Sequence, residues 1–74
     1  MPVIENETQR KILHYFTFEH LPEELKAISA PLCDMAFEMA VLLKDSRDPA
    51  EVTAGLRKLL EAKDCFVRAG LRNL

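Results

Sequence analysis

One lysine stands among apolar residues in the C-terminal third of the chain. Lys63 lies in the segment Gly55–Leu71, whose apolar residues recur at alternating intervals of three and four, the spacing of one side of an α-helix. A charged group at such a position must pair with an opposite charge, extend to solvent or bind a ligand. Two interpretations remain open. Lys63 forms an ion pair with Asp34, Glu38 or a carboxylate of a partner subunit, or it binds an anion such as phosphate.

Three arginines add positive charge to the other side of this segment. Arg57 and Glu61, like Asp64 and Arg68, are four residues apart, so the default interpretation is a solvated face with two salt bridges. Arg72 has no acid left nearby. Its guanidinium is therefore a candidate to bind a phosphate or the face of a base.

Two aromatic residues and a histidine lie near an irregular stretch earlier in the chain. The default interpretation of Tyr15 and Phe18 is packing in a core or an interface, and the alternative is stacking on a nucleobase. We expect His20 to be structural and to cap the helix that begins at Pro22.

No group of side chains predicts catalysis or metal binding. No serine, cysteine and histidine have the spacing of a nucleophile and its general base. The carboxylates are scattered along helix surfaces. His14, His20, Cys33 and Cys65 are isolated and lack the close pairs of metal sites. In a cytoplasmic chain we expect both cysteines to be reduced and packed. We expect a protein that is not an enzyme and that holds no metal and no cofactor.

Helix-boundary residues predict how these side chains are positioned. Asn6 followed by Gln9 is typical of a helix start, which predicts a short helix over residues 6–16 and a connector over residues 17–21. Such a short helix is marginal in water and must pack on another element.

The second predicted helix covers residues 22–43. Pro22 suits its first position, and Pro31 inside it predicts a bend near residues 27–29. Its apolar residues follow a heptad seam: Leu25, Ile28, Leu32, Met35, Met39 and Leu42.

The third predicted helix covers residues 49–71, after a turn over residues 44–48. Asp48 suits the N-cap and Pro49 the first helical position. Two long helices with a short turn predict an antiparallel helical hairpin. The third helix carries two apolar rows: Val52, Gly55, Leu59, Ala62, Phe66 and Ala69; and Leu56, Leu60, Val67 and Leu71. Because one partner helix cannot cover both rows, we expect contacts between copies.

Length and composition predict a single all-α domain, residues 1–74, whose core is marginal without a covalent or metal cross-link or self-association. The formal net charge is −2, with five basic against ten acidic residues in 1–54 and five against two in 55–74. The acidic total argues against duplex DNA binding. No apolar run is long enough to span a membrane, and the N-terminus lacks the features of a signal peptide. We therefore expect a cytoplasmic protein.

Three segments together resemble a known family of small phage proteins. They are the connector Phe16–Pro22 (FTFEHLP), the second helix, and Leu56–Ala62 (LRKLLEA), and the resemblance covers roughly residues 12–72. The family consists of anti-CBASS proteins, viral immune-evasion proteins that act as sponges for cyclic oligonucleotides. CBASS is a bacterial defence in which cyclic di- or trinucleotides activate a killing effector.

The resemblance implies a short N-terminal helix and a long antiparallel hairpin, assembled as a homohexamer in the cytoplasm of the infected host. It implies that cyclic dinucleotides bind between paired subunits, with Phe18 stacking on a base where relatives often have tyrosine, and with Lys26 holding the ligand. Cyclic trinucleotides would use separate pockets with Arg68 or Arg72. The full candidate set for cyclic-nucleotide binding is Phe18, His20, Lys26, Ser29, Arg57, Lys63, Arg68 and Arg72.

The sequence also allows a function of another class. A helical oligomeric module could dock a protein partner through its apolar surface, and then Phe18, Lys26 and Arg72 would matter only for stability.

Overall fold

Three helices make up the regular structure of residues 4–74. The structure, a computed structural model, describes residues 4–74. Residues 1–3, in the N-terminal segment where we expect no signal peptide, lie outside the described residues. The helices are α1 (Glu7–His14), α2 (Glu23–Leu42) and α3 (Pro49–Leu71), and no strand occurs in residues 4–74. The all-α prediction is confirmed for this part of the chain.

Helix α1 begins at the predicted N-cap. The Asn6 side-chain oxygen accepts a hydrogen bond of 3.0 Å from the backbone N–H of Gln9. The Gln9 side chain does not return to Asn6, as a capping box would require. It is buried, and its amide nitrogen lies 3.3 Å from the carbonyl oxygen of Pro49 and 3.2 Å from the hydroxyl of Thr53. Gln9 therefore ties α1 to the first turn of α3.

Helix α2 begins one residue later than predicted. Pro22 is its N-cap and makes no side-chain capping bond. The prediction that His20 caps this helix is wrong, because no side chain caps α2 and the His20 side chain is exposed. The helix remains continuous across Pro31, which lies on the exposed side.

Helix α3 has the predicted start. Asp48 is the N-cap, and its carboxylate accepts a hydrogen bond of 3.2 Å from the backbone N–H of Glu51. Pro49 occupies the first turn, where its missing N–H costs nothing. Arg72 is the C-cap.

In its second half, α2 faces the core with a different side from the heptad seam. Ala36 and Ala40 are fully buried, whereas Met35, Met39 and Leu42 are exposed, Leu42 by 66%. The first half of the seam is covered within the chain, since Leu25 is buried and Ile28 and Leu32 are partly buried, whereas the second half is exposed. The buried hydrophobic residues are Ile4, Ile12, Leu13, Phe16, Leu25, Ala36, Ala40, Val52 and Leu56.

One side of α3 is likewise buried and another is left open. Leu56 and Gly70 are buried, while Gly55, Phe66 and Ala69 of the first apolar row are exposed. Within one chain, α1 and α2 therefore cover only one side of α3. The described helices include none that is both long enough and apolar enough to cross a membrane.

Candidate functional site

The connector between α1 and α2 is anchored by one aromatic residue and presents another. Phe16 is completely buried, while Phe18 two residues later is half-buried. A backbone hydrogen bond of 3.0 Å from Leu21 N–H to the Phe18 carbonyl closes a turn. Phe16 thus holds the connector to the core, and Phe18 retains accessible ring surface.

Lys63 holds the beginning of this connector. Its ammonium donates a hydrogen bond of 3.1 Å to the carbonyl oxygen of Tyr15, the C-cap of α1, and lies 3.1 Å from a carboxylate oxygen of Asp64. The lysine side chain is only 12% exposed. A cation at this end of a helix interacts favourably with the helix dipole.

Within one chain, Lys63 does not pair with either of the two carboxylates that the sequence suggests, while a carboxylate of a partner subunit and a bound anion stay predictions. Asp34 and Glu38 form no ion pair with Lys63 within 4 Å in the described part of the chain; its neighbour Asp64 and a backbone carbonyl take their place. A lysine can stand among the apolar residues of α3 because the end of α1 packs there and supplies the Tyr15 carbonyl as a hydrogen-bond acceptor.

The beginning of α2 contributes one lysine to the candidate site. Lys26 is 30% exposed along its side chain, and its ammonium lies 3.5 Å from a carboxylate oxygen of Glu23. The carbonyl of Pro22 accepts hydrogen bonds from the N–H groups of Leu25 and Lys26 at 3.0 and 2.9 Å. Backbone hydrogen bonds therefore fix the first turn of α2, and Glu23 holds the Lys26 ammonium near the connector.

The end of α3 packs closely on the beginning of α2. A Cβ built on Gly70 would lie 2.4 Å from Cδ1 of Ile28 and 3.1 Å from Cδ2 of Leu25, so the absence of a side chain permits the contact. Arg72 follows two residues later and is exposed. The fold thereby brings the C-terminal turn of α3 to the end of the molecule that carries Lys26.

The predicted salt bridges of α3 do not form. Asp64 pairs with Lys63, and Arg68 instead approaches Cys65, with 3.3 Å between a guanidinium nitrogen and the sulfur. Arg57 likewise has no carboxylate within 4 Å among residues 4–74. Arg68 and Arg57 are both exposed, so their guanidinium groups are open to solvent.

Ser29 lies in the interior of the fold and not at the candidate binding surface. It is completely buried, and its hydroxyl has no hydrogen-bond partner among the described residues. An unsatisfied buried hydroxyl costs about 1–3 kcal/mol. Ser29 follows Lys26 by one turn, so it belongs to the packing beneath the candidate site.

Arg57 lies in a different groove from the connector. The groove has a volume of about 310 Å³. Its other lining residues come from the start of α1 and the first turns of α3: Asn6, Thr8, Pro49, Ala50, Thr53 and Ala54. The fold therefore separates Arg57 from the end that carries Lys26 and Arg72.

Three charged residues influence the Cys33 thiol, and the sequence does not indicate that two of them, Glu19 and Lys63, lie near it. Burial raises the pKa of the Cys33 thiol, the carboxylates of Asp34 and Glu19 raise it further, and Lys63 acts in the opposite direction. Cys33 and Cys65 are both free thiols. Because Glu19 and Lys63 are 44 positions apart, no local pattern indicates that they influence the same group.

The described residues contain no cluster of three or more side chains suited to a metal ion. No protein-family model, curated protein or solved structure matches the chain.

Proposed function

We propose that this protein binds cyclic di- and trinucleotides and sequesters them without cleaving them. This is the activity that its resemblance to the phage anti-CBASS sponges implies. Catalysis is not needed, because a tight binder at sufficient concentration lowers the free signal by mass action. In an infected bacterium, sequestration would keep the CBASS effector inactive.

One structural relationship carries the proposal. The contact of Gly70 with Leu25 and Ile28 places the C-terminal turn of α3 beside the beginning of α2. Lys26 and Arg72 thereby belong to one end of the fold, and the connector with Phe18 leads into the same end.

The chemistry of this end suits a cyclic nucleotide. Such a ligand has flat bases and two or three phosphates, so it requires aromatic surface for stacking and cations for charge. Phe18 is assigned the stacking role, and Lys26 a phosphate contact in competition with Glu23. Arg68 or Arg72 is assigned to the separate pockets between subunits that cyclic trinucleotides would use.

The proposed architecture is an antiparallel hairpin of α2 and α3 that assembles into a homo-oligomer, a hexamer by resemblance. Cyclic dinucleotides would bind between paired subunits. A symmetric assembly presents each group more than once, so one Phe18 and one Lys26 in each chain form a clamp. In this arrangement Lys63 positions the connector instead of contacting the ligand.

A calorimetric titration with a panel of cyclic di- and trinucleotides tests the proposal. We expect tight binding, and intact nucleotide recovered after heat denaturation of the complex. Phe18→Ala should weaken binding by roughly 5- to 150-fold, because stacking contributes about 1–3 kcal/mol for each base. The matched control is Phe37→Ala, which removes a ring that is 40% exposed on α2.

Three outcomes would overturn the proposal. The first is an absence of binding across the panel, and the second is chemically altered nucleotide in the recovered ligand. The third is an equal loss of affinity in Phe18→Ala and Phe37→Ala.

The exposed apolar surface favours a second candidate function, a helical module that docks a protein partner. Nine large hydrophobic residues among positions 4–74 are exposed: Tyr15, Met35, Phe37, Met39, Leu42, Leu43, Phe66, Leu71 and Leu74. Under this alternative, substitutions of Phe18, Lys26 and Arg72 change stability alone. The nucleotide titration distinguishes the two candidates.

A further inference from the structure

Asp64 lies within reach of two cations of α3. Its carboxylate lies 3.1 Å from the ammonium of Lys63, the preceding residue. Arg68 follows Asp64 by four residues, a spacing that brings two side chains together on one side of a helix. The guanidinium of Arg68 instead lies 3.3 Å from the sulfur of Cys65. Asp64 therefore has two basic neighbours on its own helix, and in the structure it pairs with Lys63.

The two cations differ in their need for a carboxylate. The Lys63 side chain is only 12% exposed, whereas Arg68 is exposed. A cation withdrawn from water requires hydrogen bonds and an opposite charge, while an exposed cation is solvated and gains little from an ion pair. Lys63 obtains both from the Tyr15 carbonyl and the Asp64 carboxylate, each at 3.1 Å. Burial therefore explains why Asp64 pairs with the lysine and not with the arginine.

This pairing affects two separate parts of the chain. It stabilises the Lys63 ammonium at the Tyr15 carbonyl, where the connector begins. It also leaves Arg68 without a carboxylate within 4 Å among residues 4–74. The Asp64 side chain is 47% exposed, so it has room to turn from one cation to the other. A turn toward Arg68 would remove the counter-charge of Lys63 and would occupy the guanidinium.

We propose that Asp64 is a positioning residue that couples the connector to Arg68. In one state Asp64 pairs with Lys63, the connector that carries Phe18 is held, and Arg68 is open to an anion. In the other state Asp64 pairs with Arg68, and both parts bind ligand less well. The inference rests on the proposed function for its ligands, since it takes the connector as the dinucleotide site and Arg68, in preference to Arg72, as the trinucleotide contact.

Such a two-state element couples the two ligands. A phosphate on Arg68 favours the state in which Asp64 stays with Lys63, and that state holds the connector. A dinucleotide on the connector favours the same state and keeps Arg68 open. Because coupling between two binding sites is reciprocal, each ligand should raise the affinity for the other by the same factor.

The first test requires no nucleotide. The N–H groups of Thr17 and Leu21 donate backbone hydrogen bonds in the connector, at 3.3 and 3.0 Å. Asp64→Asn should speed the hydrogen exchange of these two amides by about two- to fivefold, the effect expected of a partly exposed ion pair. Glu61→Gln is the matched control, because Glu61 is an exposed acid of α3 that belongs to no ion pair in residues 4–74.

The exchange measurement decides the connector role by itself. Equal exchange rates in the wild-type protein and in Asp64→Asn would overturn the proposal whether or not the protein binds nucleotides. An equal acceleration by Glu61→Gln would also overturn it, since the effect would then belong to any lost negative charge on α3.

The second test is a calorimetric titration of the same variants with a cyclic dinucleotide and a cyclic trinucleotide. Asp64→Asn should weaken dinucleotide binding by about two- to fivefold, because the connector is less well held. It should strengthen trinucleotide binding by a similar factor, because Arg68 no longer has a competing carboxylate. A general loss of stability would weaken both, so opposite changes identify the coupling. Glu61→Gln should produce no such divergence.

Three results of the titration distinguish this proposal from the proposed function. A trinucleotide affinity that falls or stays constant in Asp64→Asn would overturn the coupling and leave the sponge activity standing. A wild-type protein whose trinucleotide affinity does not rise on saturation with dinucleotide would do the same. A wild-type protein that binds neither ligand would overturn the proposed function and with it the ligand roles of Asp64, whereas accelerated exchange in Asp64→Asn would still support its role in holding the connector.

Discussion

The ammonium of Lys63 lies 3.1 Å from the carbonyl oxygen of Tyr15, across 48 positions of the chain. Tyr15 is the C-cap of α1, so one charge on α3 fixes the end of the first helix and the beginning of the connector. This contact gives Lys63, which stands among the apolar residues of α3, a structural role. It also means that the position of Phe18, three residues after Tyr15, depends on a residue of α3.

Lys63→Met should lower the free energy of unfolding by about 1–2 kcal/mol, because it removes a charge-assisted hydrogen bond and a favourable helix-dipole interaction. The measurement is the urea midpoint at a fixed protein concentration. Lys44→Met is the control, since Lys44 is exposed in the turn before α3. Equal midpoints for the two variants would contradict the role assigned to Lys63.

Gln9→Met should destabilise the protein by about 1–2 kcal/mol despite its similar size. It removes the hydrogen bonds that the buried amide donates to the Pro49 carbonyl and to the Thr53 hydroxyl. The Thr53 hydroxyl still donates to the Pro49 carbonyl at 2.9 Å. Thermal unfolding followed by circular dichroism provides the measurement. The exposed neighbouring substitution Thr8→Ala should have little effect, and an unchanged melting temperature for Gln9→Met would show that the amide contributes nothing net.

Phe16→Ala and Phe18→Ala should differ sharply in stability. Phe16 is completely buried, so its truncation should cost about 3–5 kcal/mol, a large part of the stability of a small domain. Phe18 is half-buried and should cost much less. Urea unfolding of both variants at equal concentration tests this order. The reverse order would place Phe18 in the core and would remove its candidate role in stacking.

Cys33 should make the protein less stable at alkaline pH. Burial, and then the carboxylates of Asp34 and Glu19, raise the pKa of its thiol above the ordinary value of 9.0. As pH rises, the unfolded chain therefore loses this proton before the folded chain does. The contribution is intact below the unfolded pKa and is lost as the pH rises toward the folded pKa.

Urea midpoints between about pH 7.5 and about pH 10 provide the measurement. The loss of stability across this range should be smaller in Cys33→Ala than in the wild-type protein, because alanine does not titrate. The cavity left by the substitution shifts both ends of the range equally. An identical pH dependence in the two proteins would contradict a raised pKa in the folded state.

The boundaries of the helices follow from interactions over a few residues, and the sequence alone predicts them well. The N-caps Asn6 and Asp48 each satisfy a backbone N–H three residues away, so their chemistry is local. The capping role predicted for His20 is the exception, because no side chain caps α2. The helical class follows from the same local preferences and needs no knowledge of the packing.

Only the tertiary structure decides which sides of the helices are buried. Both apolar rows of α3 have helical spacing, and periodicity cannot rank them. The small side chains of Ala36 and Ala40 allow close packing that the larger methionines of the seam would prevent. The partners of Gln9 and Lys63 are also determined by packing, because each contact joins residues at least 40 positions apart. Hydrogen bonds within a turn depend on neighbouring residues, whereas burial depends on which distant surfaces meet, and that requires the folded chain.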